Sequence, residues 1–107
     1  MTESVTIGVD IGGTKVAAGL VDASGAITRK TRVPMAANGD GAAGFASVKS
    51  AIDAILTEVP EARGALRGIG LCSPGPLDPY TGVVINPPNL PCWRNFPLAA
   101  ETANANK

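Results

Sequence analysis

Small and β-branched residues alternate along Val5-Thr6-Ile7-Gly8-Val9, and after a glycine turn a second run follows, Val16-Ala17-Ala18-Gly19-Leu20-Val21. Alternation of this kind sends successive side chains to opposite faces, so both runs are predicted strands. Asp22-Ala23-Ser24-Gly25 has the composition of a turn. Ala26 to Val33 is a third run, interrupted by Arg29, Lys30 and Arg32, and such charge suits an edge strand because it discourages further pairing. Past the loop Pro34 to Gly39 the period changes: Phe45, Val48, Ile52, Ile55 and Val59 fall three and four apart on one helical face, with Lys49, Ser50, Asp53 and Thr57 on the others. Asp40 is placed to cap that helix and Pro60 to close it. Leu66-Arg67-Gly68-Ile69-Gly70-Leu71-Cys72 then reads as a fourth, buried strand whose glycines admit close backbone approach. The order β-β-β-α-β places the chain in the α/β class.

From Ser73 to Pro97 proline, glycine and asparagine dominate, which predicts a long loop with a short strand near Gly82 to Ile85. Val83, Val84, Ile85, Leu90, Trp93 and Phe96 give this loop apolar side chains to bury, so it is expected to be ordered. Leu98 to Asn106 is expected to form a last helix, with Pro97 at its first turn.

The chain has 107 residues, enough for one domain from Met1 to Lys107 with a single core. A 45% hydrophobic content with few aromatics suits a core of Val, Ile, Leu and Ala. Nine basic and nine acidic residues cancel, which removes the broad positive field expected of a nucleic-acid or anionic-membrane partner. Any phosphate recognition must therefore be local. Met1-Thr2-Glu3-Ser4 lacks the basic and then apolar pattern of a leader, and no run approaches the roughly eighteen apolar residues of a membrane span. A cytoplasmic location follows as the expectation, and Cys72 and Cys92 are expected to be structural thiols in a reducing compartment. The absence of histidine removes Ser/His and Cys/His nucleophilic pairs and imidazole zinc sites.

Candidate chemistry concentrates in Asp10-Ile11-Gly12-Gly13-Thr14-Lys15, a turn between two strands. Adjacent glycines can adopt positive φ and bring backbone N–H groups up to a bulky anion. Thr14 adds a hydroxyl and Lys15 a cation, while Asp10 is placed to hold a magnesium ion through its water shell. Two-glycine turns also occur as plain tight hairpins, and the turn by itself supports either reading. The spacing Gly8-x4-Gly13-Thr14-Lys15 approximates a P-loop but reverses Thr and Lys and precedes a strand, so that reading fails. Gly39-Asp40-Gly41-Ala42-Ala43-Gly44 matches G-x-G-x-x-G literally, yet no buried strand feeds it directly. Helix entry is the better account.

Taken together, Asp10-Ile11-Gly12-Gly13-Thr14-Lys15-Val16, Gly68-Ile69-Gly70-Leu71-Cys72-Ser73-Pro74-Gly75-Pro76-Leu77-Asp78 and Asn86-Pro87-Pro88-Asn89-Leu90 closely resemble the ROK family of bacterial sugar kinases and related repressors, in the right order over nearly the whole chain. The resemblance implies an actin-like ATPase (ribonuclease H-like) domain with a mixed sheet. It implies ATP and Mg as cofactors, with Gly12, Gly13 and Thr14 facing the phosphates, Asp10 near the metal and Lys15 close by. Gly75, Pro76 and Asn89 would face the sugar, the Asn89 amide bonding a hydroxyl. Cys92 stands where the family commonly has a glycine before Trp.

Family members continue into a strand ending in an Asn-Asp pair whose aspartate serves as catalytic base, and no catalytic residue is assigned within these 107 positions. The resemblance therefore implies the amino-terminal part of an ATP-dependent hexose kinase, glucokinase being the commonest activity, in a truncated form inactive by itself. A strand edge left open beside the fourth strand leads to the expectation of a homo-oligomer. The alternative is a non-enzymatic sugar-sensing or regulatory protein. A family repressor would need a helix-turn-helix before the glycine turn, where only nine residues precede Asp10.

Overall fold

A computed structural model describes residues 4–106; the start Met1 to Glu3, read above for a leader, and Lys107 lie outside the described residues. Strands β1 (Val5–Ile11), β2 (Lys15–Val21) and β3 (Ile27–Pro34) form an antiparallel meander. Helix α1 (Gly41–Glu58), a single turn α2 (Ala62–Ala65) and strand β4 (Leu66–Cys72) follow. The chain returns through α1 to lay β4 parallel to β1, giving a mixed sheet of order β3-β2-β1-β4. A two-stranded ribbon, β5 (Leu77–Asp78) with β6 (Val83–Val84), and helix α3 (Leu98–Ala105) complete the described chain.

The core lies on one face of the sheet. Ile7, Val9 and Ile11 of β1 and Val16, Ala18 and Leu20 of β2 point toward Val48, Ala51, Ile52, Ile55 and Leu56 of α1, all of them buried. Each fully buried isoleucine or valine there contributes about 1.5–3 kcal/mol relative to exposure. Asp40 caps α1 as expected, its side chain accepting from the Ala43 N–H at 2.8 Å. That cap explains the glycine-rich entry without a dinucleotide.

The other face is bare. Asp10, Ala17, Arg32 and Cys72 lie in one cross-strand row, and Gly8, Gly19, Lys30 and Gly70 in the next. This corrects the expectation of a buried fourth strand. β4 pairs only with β1 and is an edge, with Arg67, Gly68, Gly70 and Cys72 exposed. β3 is the opposite edge, as its charges foretold, and Arg29 reaches back to Glu58 at 3.0 Å.

The proline-rich segment is ordered by its own apolar residues. Val84 and Leu90 are buried, and Trp93 is 1% exposed, stacked on Phe96 at 5.1 Å and donating its indole N–H to the Gly41 carbonyl at 3.2 Å. A Cβ on Gly44 would lie 2.8 Å from Cys92 Sγ and 3.0 Å from Trp93 Nε1. Absence of a side chain there lets the loop seat directly on α1.

Candidate functional site at the carboxyl ends of β1 and β4

Parallel pairing of β1 with β4 sets Asp10 beside Cys72, so the Gly12–Thr14 turn and the loop starting at Ser73 leave the sheet at the same end. Open α/β sheets place ligands at the carboxyl ends of their parallel strands. A third segment arrives from the loop after β6: an ideal Cβ on Gly13 would lie 3.2 Å from the Asn89 carbonyl oxygen and 3.3 Å from its Cβ. The glycine turn and Asn89 are therefore in contact, although 76 positions apart in sequence.

The turn itself is tight and open on its outer side. Asp10, Thr14 and Lys15 are exposed, while Gly12 and Gly13 are half-buried. Gly12 donates its N–H to the Lys15 carbonyl at 2.9 Å, closing the hairpin, and the Thr14 carbonyl accepts from Met35 N–H at 2.9 Å. Among the described residues, the N–H groups of Gly13 and Thr14 have no protein acceptor. Two neighbouring backbone donors, an exposed hydroxyl and an exposed ammonium thus follow one another along the turn, a set of groups that suits a polyanion.

Two details differ from the sequence expectation. Neither Gly12 nor Gly13 takes positive φ; among the described glycines only Gly25 and Gly82 do. The Gly12 N–H serves the turn and not a ligand. The glycines are wanted for space, since a Cβ on Gly12 would press on the Lys15 carbonyl at 3.2 Å and one on Gly13 on Asn89.

Asn89 is exposed and held from behind. Leu90 is buried with its N–H on the Pro87 carbonyl at 3.1 Å, and Cys92 N–H bonds the Ala37 carbonyl at 2.9 Å. Gly75 and Pro76 are exposed and joined by a cis peptide bond, and the Pro76 carbonyl accepts from Ile85 N–H at 2.9 Å. Asp78 spends its carboxylate on the Tyr80 N–H at 2.9 Å and so shapes the ribbon tip. Cys72 is exposed on the bare face, against its expected role as a structural thiol, while Cys92 is half-buried and its thiol is pushed up by burial.

The family model described as "ROK family" matches residues 6–107. The chain belongs to the ROK family. It is 39% identical to a glucokinase from Thermotoga maritima over 98 residues, 91% of this chain and 29% of that protein. Among solved structures it resembles a ROK hexokinase from Thermus thermophilus, with a TM-score of 0.69 and 33% identity over 95% of this chain and 32% of the other. A ROK family glucokinase from Streptomyces griseus, solved in complex with glucose and AMPPNP, superposes with a TM-score of 0.61 and 32% identity, covering 94% of this chain and 30% of that one. The fold is the actin-like ATPase fold of ROK sugar kinases. The chain spans about three-tenths of the length of the relatives it matches.

No helix is long and apolar enough to cross a membrane among the described residues. Nor do the described residues contain a group of three or more side chains able to hold a metal.

Proposed function

We propose that this chain forms the phosphate-holding and sugar-facing part of an ATP-dependent hexose kinase with glucose as its substrate, working in the cytoplasm. The observation that carries the reading is the pair of unpartnered N–H groups on Gly13 and Thr14, beside the Thr14 hydroxyl and Lys15, in contact with the Asn89 loop. Glucokinase relatives and a related structure holding glucose and AMPPNP support it.

In this account the two amides and Lys15 bind phosphoryl oxygens, each charge-assisted bond being worth about 1.5–3 kcal/mol. Asn89 offers both an acceptor and two donors to sugar hydroxyls, and Gly75 and Pro76 form the adjoining wall without competing polar side chains. Asp10 alone is too sparse a donor set to fix a metal outright. It fits magnesium, which keeps most of its waters and takes its remaining ligands from carboxylates and substrate phosphates. When bound, magnesium neutralises charge on the phosphates; Asp10 orients its water shell.

Transfer to a hydroxyl also needs a carboxylate to accept the proton, a base we assign to residues other than these. The 107 residues alone then bind without transferring. The bare glycine-lined face and the open β4 edge further lead us to propose self-association of the chain.

The test is to replace the aligned segment of the Thermotoga maritima glucokinase with this chain and measure ADP release with and without glucose. Glucose-dependent release is expected. A chimera that binds both ligands and transfers nothing would support the sugar-sensing alternative instead.

A further inference from the structure

We propose that Gly13 is a positioning residue for Asn89, so that the sugar-facing amide takes its place directly from the phosphate-holding turn. The inference rests on the function proposed above and moves Gly13 from a purely phosphate-facing role to a structural link between two ligand sites.

The two turn glycines are crowded to the same degree but by different atoms. A Cβ on Gly12 would meet the Lys15 carbonyl at 3.2 Å, inside its own hairpin. A Cβ on Gly13 would meet the Asn89 carbonyl oxygen at 3.2 Å and the Asn89 Cβ at 3.3 Å, and, among the described residues outside the turn's own neighbours, nothing else so closely. Backbone and Cβ atoms cannot swing aside as the end of a long side chain does. Something must therefore shift by a few tenths of an ångström.

Neither side gives easily except at Asn89. The turn is pinned by the Gly12-to-Lys15 bond and by Met35 N–H on the Thr14 carbonyl, both 2.9 Å. The loop is pinned one residue later by Leu90, which is fully buried, and further on by Trp93 and by Cys92 N–H on the Ala37 carbonyl. Ala37 follows Met35 by two residues, so one short segment ties the turn on one side and the Asn89 loop on the other. Asn89 lies exposed between these fixed points, and a displacement at Gly13 is absorbed there. Polar contacts to a sugar hydroxyl lose strength steeply with misplacement.

The experiment uses the isotopically labelled chain. Amide and side-chain NH₂ resonances are followed while glucose, or magnesium pyrophosphate as the phosphate probe, is added to wild type, Gly13→Ala, Asn89→Ala and the double variant. For Gly13→Ala we expect Asn89 to shift before any ligand is added, and glucose to bind about fivefold or more weakly. In the Asn89→Ala background Gly13→Ala should cost no further glucose affinity, the non-additivity of two residues acting as one.

Equal glucose affinity in wild type and Gly13→Ala would overturn the proposal, as would additive losses in the double variant. Should Gly13→Ala fail to fold, the wild type still decides: pyrophosphate filling the turn must move the Asn89 resonances, and an unmoved Asn89 overturns the link. Glucose that perturbs no resonance near Asn89 in wild type would remove the sugar-facing role itself, and with it the proposal.

Discussion

Replacing Trp93 by alanine probes how the loop that carries Asn89 is held. Trp93 is 1% exposed, its ring stacks on Phe96 at 5.1 Å and 9° between planes, and its N–H bonds the Gly41 carbonyl at 3.2 Å. Truncation removes the largest fully buried side chain and leaves a cavity against Gly44, which has no side chain to fill it. Large-to-small changes of this kind cost about 3–5 kcal/mol. A domain of this size has a total stability of about 5–15 kcal/mol, so the loss is a large share of it. With an m-value of about 2 kcal/mol per molar urea, the midpoint should fall by about 2 M. Trp93 is the chain's single tryptophan, so unfolding is followed by far-ultraviolet circular dichroism and not by fluorescence. Trp93→Phe keeps the stacked ring and loses the N–H bond, which should cost about 1–2 kcal/mol including some lost ring area. A loss below about 1 kcal/mol for Trp93→Ala would show that the loop does not depend on this anchor, and the placement of Asn89 would lose its foundation.

The cysteines should separate by reactivity. Cys72 is exposed and Cys92 is half-buried with its thiol pushed up by burial, so less Cys92 thiolate exists at a given pH. Iodoacetamide at pH 8 should modify Cys72 about tenfold faster, with Cys92 catching up as pH rises or when urea is added; equal native rates would contradict the described burial. Because the folded Cys92 thiol titrates above its unfolded value, its contribution to stability is full below the unfolded pKa and declines as pH climbs through the folded one. Light scattering should show apparent mass rising with concentration as bare faces and β4 edges meet, and a constant monomer mass at high concentration would refute self-association.

Helix α1 was legible because Val48, Ile52 and Ile55 repeat at three and four, and Asp40 stood where a cap belongs. The β3 edge was legible from its charges. What failed was burial on the second face of the sheet: Ile69 and Leu71 marked β4 as a strand, but whether anything covers Gly68 and Gly70 is a property of what packs there, which alternation does not encode. The two-residue strand β5 was hidden among prolines, and its pairing with β6 depends on a ribbon closed by Asp78, a contact that composition cannot reveal. At the site, the sequence marked Asp10 to Lys15 as a candidate turn and Asn89 as a candidate through resemblance alone, while their contact emerges only from the packing. That Gly12 and Gly13 answer a need for space, one inside the turn and one against Asn89, is set by long-range packing and by φ values no local pattern specifies.

The most direct test follows backbone amide resonances of the labelled chain as AMPPNP with magnesium is added. The largest displacements should fall on Gly13 and Thr14, with Lys15 and Asp10 next and Gly12 little changed, since its N–H is already engaged by the Lys15 carbonyl. Displacements concentrated elsewhere, or none at nucleotide concentrations of tens of millimolar, where even a Kd of about 1 mM would be saturating, would contradict the assignment of this turn to phosphate.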